Sequence, residues 1–190
     1  MNEVFVAKAR SVGVLAAAAL AGSVLFAGPA AADYYIGEPV VKENLQLSPA
    51  YLRGIEMEPM PADMSMDKDA IHIEIDIHAT DKETHGFGPD EWIPYLGVTV
   101  TVENEDGTYT ETKDLHAMQA IDGPHYANNF AMKGPGTYKV TYVIEPPSTN
   151  GFIRHIDKAT GVPPWWPPIT ASWTFTYPAA NDTHPANTAD

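Results

Sequence analysis

The chain has no cysteine. That excludes disulfides, a lipid-modified N-terminal cysteine and any CxxC motif. Basic residues are scarce: 11 Lys and Arg stand against 25 Asp and Glu, for a formal net charge of −14 at pH 7. Such a surface repels nucleic acid and anionic lipid and attracts cations, although solubility alone also accounts for it. The HExxH, GxSxG and Walker signatures are missing, so nothing points to phosphate binding or nucleophilic catalysis. Beyond residue 32 no stretch sustains the 3.6-residue apolar period of a helix.

What is there begins with an export signal. Lys8 and Arg10 precede the uncharged run "SVGVLAAAALAGSVLFAGPAAA", which ends in Ala30-Ala31-Ala32. This reads as a secretory signal peptide over residues 1–32, cleaved after Ala32. The run is also about long enough for an uncleaved anchor, but Gly28, Pro29 and the small residues that follow favour cleavage. The expected product is a periplasmic protein beginning near Asp33. Residues 1–32 carry Lys8 and Arg10 against Glu3, a net +1, so the remainder of the −14 chain is near −15.

The remainder reads as short strands between frequent turn signals. "YYIGEPVVKENLQLSPAYL" predicts one or two strands. Pro59 and Pro61 make "GIEMEPMPADMSMDKDA" a loop or edge. "IPYLGVTVTVEN" and "YTETKDLHAM" flank a hairpin signal at "EDGT". "AIDGPHYANNFAMKGPG" reads as a long loop with His125 in a turn, "TYKVTYVIEPP" as a strand, "STNGFIRHIDKATGVPPWWPP" as a second long loop, and "ITASWTFTYP" as the last strand. The expectation is all-β, an immunoglobulin-like β-sandwich forming one domain over residues 33–180, with a disordered tail at 181–190.

One strand carries chemistry. In "IHIEIDIHAT" the isoleucines at 71, 73, 75 and 77 alternate with His72, Glu74, Asp76 and His78. Period-two alternation puts the isoleucines on the core face and four potential ligands or proton carriers on the other. Neighbours two apart lie roughly 7 Å from each other, so His72 and Glu74 can meet at one ion, whereas His72 and His78, roughly 20 Å apart, cannot. The rest of a site must therefore come from elsewhere. Any of His85, His116, His125, His155 and His184 taken alone is an ordinary surface or hydrogen-bonded histidine, and Met118 alone is a core residue. Together, histidines from a strand and two loops can meet an acidic surface that contains a thioether. Met57, Met60, Met64 and Met66 form a further cluster. Thioethers select soft copper, but methionine also fills irregular gaps and subunit interfaces. The "PPWWPP" tryptophans either cap the core or cover a partner.

"YIGEPVVKENLQLSPAYL", "IEMEPMP", "AIHIEIDIHA", "GFGPDEWIPYLGVTV", "DGPHYANN", "YKVTYVIEPPS", "RHID" and "TGVPPWWPPI" occur in this order. The set resembles the bacterial periplasmic iron-transport proteins that accompany an inner-membrane iron permease, over nearly all of Asp33–Pro178. The resemblance implies a homodimer with a copper site near the subunit interface, a role in iron uptake with that permease as partner, and metal binding rather than enzymatic turnover. Its ligands fall on His72, Glu74, Met118, His125 and His155. Copper suits the imidazoles and the thioether, while Glu74 bridges to it or holds a harder ion such as iron. A competing expectation is a periplasmic copper carrier or buffer, and a third is a structural sandwich with incidental metal.

Overall fold

A computed structural model of the protein describes residues 33–53, 55–67 and 69–182. The expected signal peptide (1–32) lies outside the described residues, as does 183–190 of the expected tail. The strands are β1 (Tyr34–Tyr35), β2 (Val40–Lys42), β3 (Leu45–Arg53), β4 (Ala70–Ala79), β5 (Gly97–Asn104), β6 (Thr110–Asp114), β7 (His116–Gln119), β8 (Pro124–Ala131), β9 (Gly136–Glu145) and β10 (Ile169–Tyr177). Among the described residues, one 3-10 turn spans Pro147–Asn150. No helix among the described residues is long and apolar enough to cross a membrane.

The strands form an all-β sandwich of two antiparallel sheets. One runs β1-β3-β4-β8-β7, with β2 also paired to β3; the other runs β10-β9-β5-β6. The alternating sequence of β4 dictates its orientation. Ile71, Ile73, Ile75 and Ile77 are fully buried in one core cluster with Val98, Val100 and Val102 of β5 and Val140, Tyr142 and Ile144 of β9. Each such side chain contributes roughly 1.5–3 kcal/mol by leaving water. A one-residue slip of β4 would send all four isoleucines outward, so its register is strongly specified.

Two departures from the sequence expectations matter for the site. The stretch expected as a long loop after Met118 contains β8, which lies between β4 and β7. Its alternation is hidden because Asn128 and Asn129 are buried and hydrogen-bonded, not exposed. Secondly, the chain expected to return as one strand is two. Leu115 is buried and its N–H donates to Val98 O at 2.7 Å. The chain there leaves the β5 sheet and continues as β7 beside β8, which carries Met118 to the same sheet as His72.

At the other end of the chain, Asp182 is buried and accepts hydrogen bonds from Arg53 Nε at 2.7 Å and from the Tyr51 hydroxyl at 3.1 Å. Trp166 is buried in the core, so its own chain covers it, and half-buried Trp165 packs against that core. His85 holds their loop: its ring stacks on Trp165 with centroids 5.0 Å apart, and its nitrogens reach Glu83 at 2.6 Å and Pro164 O at 3.0 Å.

Candidate metal centre

Antiparallel pairing builds the site. On β4 and β8, His72 lies opposite Asn129 and Glu74 opposite Ala127; on β7 and β8, Met118 lies opposite His125. Cross-strand partners project to one face, here the face of the sheet turned away from the isoleucines. Gly123 makes the approach to β8: it adopts φ +144°, and Ala120 N–H donates to its carbonyl at 3.0 Å. The chain then enters the strand at Pro124, immediately before His125.

His72, Glu74 and His125 each bring a ligand atom within 4.8 Å of the others. The two imidazoles meet edge to face, with centroids 5.7 Å apart at 86°. His125 Nε2 stands 3.6 Å from Glu74 Oε2, too long for a hydrogen bond. The three residues are only 3%, 6% and 7% exposed. Yet His72 Nε2 and His125 Nε2 are buried with no hydrogen-bond partner among the described residues. Each orphaned buried polar atom costs about 1–3 kcal/mol. A cation accepting both lone pairs removes that cost, so the donor set fits a metal.

The electrostatics point the same way. Burial lowers the His72 pKa to about 4, with nearby His125 adding to the fall and the hydrogen bond that His72 donates to Asn129 Oδ1 opposing it. Burial raises Glu74 to about 8, helped by Asp76, Asp33 and Asp122. Burial also raises Asp33 and Asp76. At neutral pH the site therefore presents a neutral imidazole at His72 and a protonated Glu74 carboxyl inside a ring of acids. Two imidazoles and a thioether suit copper; carboxylates suit harder cations.

Of the expected ligands, the fold gathers His72, Glu74 and His125 and sets half-buried Met118 beside His125. His155 does not join them. It is exposed in the loop before β10, with Nδ1 2.8 Å from Thr160 Oγ1, and it is flanked by Ile153 and Ile156, which are 90% and 79% exposed. Asp76 and His78 line a neighbouring groove of about 590 Å³ with Glu38 and Tyr35. His116 pairs with Asp63 at 2.9 Å. His184 lies outside the described residues. Sequence reasoning missed Asp33, Asp122 and Asn129. The acids adjoin the site only after folding, and the Asn-Asn pair carried no signal while its stretch read as a loop.

The model of a family described as Fe2+ transport protein matches residues 30–179. The chain belongs to that family. It is 39% identical to the UPF0423 proteins of Brucella abortus and Brucella suis over 153 residues, 79% of this chain and 84% of theirs. It is 36% identical over 146 residues to the 34 kDa membrane antigen of Treponema pallidum, covering 74% of this chain and 72% of that one. Among solved structures it is similar to a copper-bound variant of FetP from uropathogenic Escherichia coli strain F11. That match has 44% identity and a TM-score of 0.74, over 77% of this chain and 97% of the other. The copper-reconstituted P19 protein of Campylobacter jejuni superposes with a TM-score of 0.73 at 36% identity, over 77% of this chain and 97% of the other. In this member of the Fe2+ transport protein family, the buried His-Glu-His cluster is the candidate metal centre.

Proposed function

We propose that this is an exported, periplasmic component of iron uptake that holds copper at His72, Met118, His125 and His155. In this reading Glu74 bridges to the copper or takes a second, harder ion such as iron, and the protein passes iron to an inner-membrane permease. The observation that carries it is the pair of buried, partnerless Nε2 atoms of His72 and His125 beside Glu74. Copper, when bound, supplies a one-electron couple close to the carboxylates. The chain's own residues supply the rest. Burial keeps His72 neutral and ready to donate a lone pair, Met118 supplies a soft donor, and Glu74 releases its proton when a cation arrives. The copper-bound FetP and P19 structures support the choice of metal.

The site is one imidazole short within a single chain, because His155 lies apart from it. We assign that imidazole to His155 of a second copy in a homodimer, with exposed Ile153 and Ile156 supplying apolar contacts around it. Residues 1–32 are the cleaved export signal in this reading, and the packed domain is a single sandwich beginning near Asp33.

The test is a Cu(II) titration of the purified mature protein and of His125→Ala and His155→Ala, repeated under reduction against a Cu(I) competitor. Each variant is expected to bind copper at least tenfold more weakly while keeping the parent's circular dichroism. Two variants that bind like the parent end the reading. The soft donor Met118 also favours the second reading, a copper carrier or buffer. Growth of a deletion strain under iron limitation, with copper varied independently, separates them: an iron-transport role is expected to give an iron-dependent defect at constant copper.

A further inference from the structure

The hydrogen bonds around Asn129 settle which nitrogen His72 offers. Asn129 lies opposite His72 across the β4–β8 pair. Its Nδ2 donates to the carbonyl of Ser65 at 3.1 Å. A carbonyl only accepts, so the NH2 end of the amide must face Ser65. Its Oδ1 must then face His72, and Oδ1 stands 2.8 Å from His72 Nδ1. An amide oxygen also only accepts, so Nδ1 must carry the ring proton. Nε2 is then the lone-pair nitrogen, and it is the buried atom without a partner.

We infer that Asn129 is a positioning residue for the metal centre, holding His72 in the Nδ1–H tautomer so that Nε2 faces the site as a ready ligand. This rests on the metal-binding reading of the same cluster and extends it to a residue outside the ligand set. Asn129 is itself held from several sides. Its N–H donates to Asn128 Oδ1 at 2.7 Å, and its carbonyl accepts from Lys113 Nζ at 2.7 Å. Asn128 Nδ2 and His116 Nε2 both reach the Asp63 carboxylate, at 2.9 Å each. Asp63 and Ser65 belong to the methionine-rich stretch, in which Met64 is buried. That stretch therefore anchors the amide that orients the ligand, a role needing none of its thioethers. Only an amide serves both ends: it accepts from the imidazole and donates to the Ser65 carbonyl.

The experiment reads the tautomer directly, in the metal-free protein. Long-range proton–nitrogen NMR correlations of the His72 ring in the 15N-labelled parent are expected to show Nδ1 protonated and Nε2 bare. Asn129→Leu, close in volume but without an acceptor, is expected to lose that fixed tautomer and to bind Cu(II) about 10–100-fold more weakly. Asn129→Asp, which keeps an acceptor for Nδ1 but loses the donor to Ser65, is expected to retain the Nδ1–H tautomer and to bind Cu(II) more tightly than Asn129→Leu. A parent with Nε2 protonated overturns the inference, whether or not either variant folds. So does an Asn129→Leu protein that keeps the Nδ1–H form. A parent with the expected tautomer that takes up no copper upholds the placement of His72 and ends only the copper reading.

Discussion

At the scale of single residues, the centre is a place where burial and like charge have been accepted in exchange for ligands held ready. Glu74 shows this best. Folded, it keeps its proton up to about pH 8, against an ordinary 4.5. Between those values the folded state binds more protons than the unfolded one, so the metal-free protein loses stability as pH rises through that window. His72 acts oppositely: it titrates near 4 when folded against 6.5 ordinarily, so its contribution is gained as pH rises between them. Of this pair, only Glu74 still slopes above pH 6.5. Glu74→Gln is therefore expected to flatten the decline between pH 6.5 and 8, and to stabilise the metal-free protein at pH 8 by on the order of 1–3 kcal/mol. Urea melts across that range, compared between parent and variant, provide the check; identical slopes refute the assignment. Met118 makes a second residue-scale case. As the soft donor, its replacement by Ala is expected to weaken Cu(I) more than Cu(II), measured by competition in each oxidation state. Equal losses would remove it from the ligand set.

At the scale of the element, one strand does two separable jobs. β4 buries its isoleucines in the core and turns His72 and Glu74 to the site. Ile75→Ala is expected to cost roughly 2–5 kcal/mol of stability through the cavity it leaves, visible as a lower Tm, while the folded fraction still binds copper. His72→Ala is expected to do the reverse. A variant of Ile75 with parental Tm would mean that the sheet is not packed as described. The β7–β8 turn is the other element that sets the site. Gly123 at φ +144° occupies backbone space that other residues enter only with strain. Gly123→Ala is expected to cost about 1–3 kcal/mol and, because His125 lies two residues on, to weaken copper binding as well. Parental stability and affinity together would show that the turn does not constrain the ligand.

At the scale of the whole molecule, the proposed dimer bears on His155, which lies apart from the His72–Glu74–His125 cluster within one chain. If each site takes His155 from a second copy, complementary variants should rescue each other. A dimer mixed from His125→Ala and His155→Ala chains has one site damaged twice and one site with every ligand intact. Unfolding and refolding the two variants together is expected to restore tight Cu(II) binding at one of the two sites in each mixed dimer, although neither variant alone shows it. Light scattering supplies the mass and copper titration the stoichiometry. No rescue in a confirmed mixed dimer would place all the ligands within one chain.

Much of this was legible in the sequence, and for a physical reason. Strict alternation over Ile71–His78 permits one arrangement of a strand, core on one side and potential ligands on the other. The absence of cysteine limited the donors to imidazole, thioether and oxygen, and the motif order over Asp33–Pro178 identified the family. Periodicity did not reveal β8, because a strand flanked on both sides can bury polar residues once partners exist, and Asn128 and Asn129 find theirs only in the folded sheet. Nor could spacing show that the chain changes sheets at Leu115, that Asp33 and Asp122 bear on Glu74, or that Trp166 is covered by its own chain. Alternation along the chain determined which residues share a face. Only the pairing of strands distant in sequence decided which of them meet, which nitrogen of His72 is left free, and that His155 stands apart.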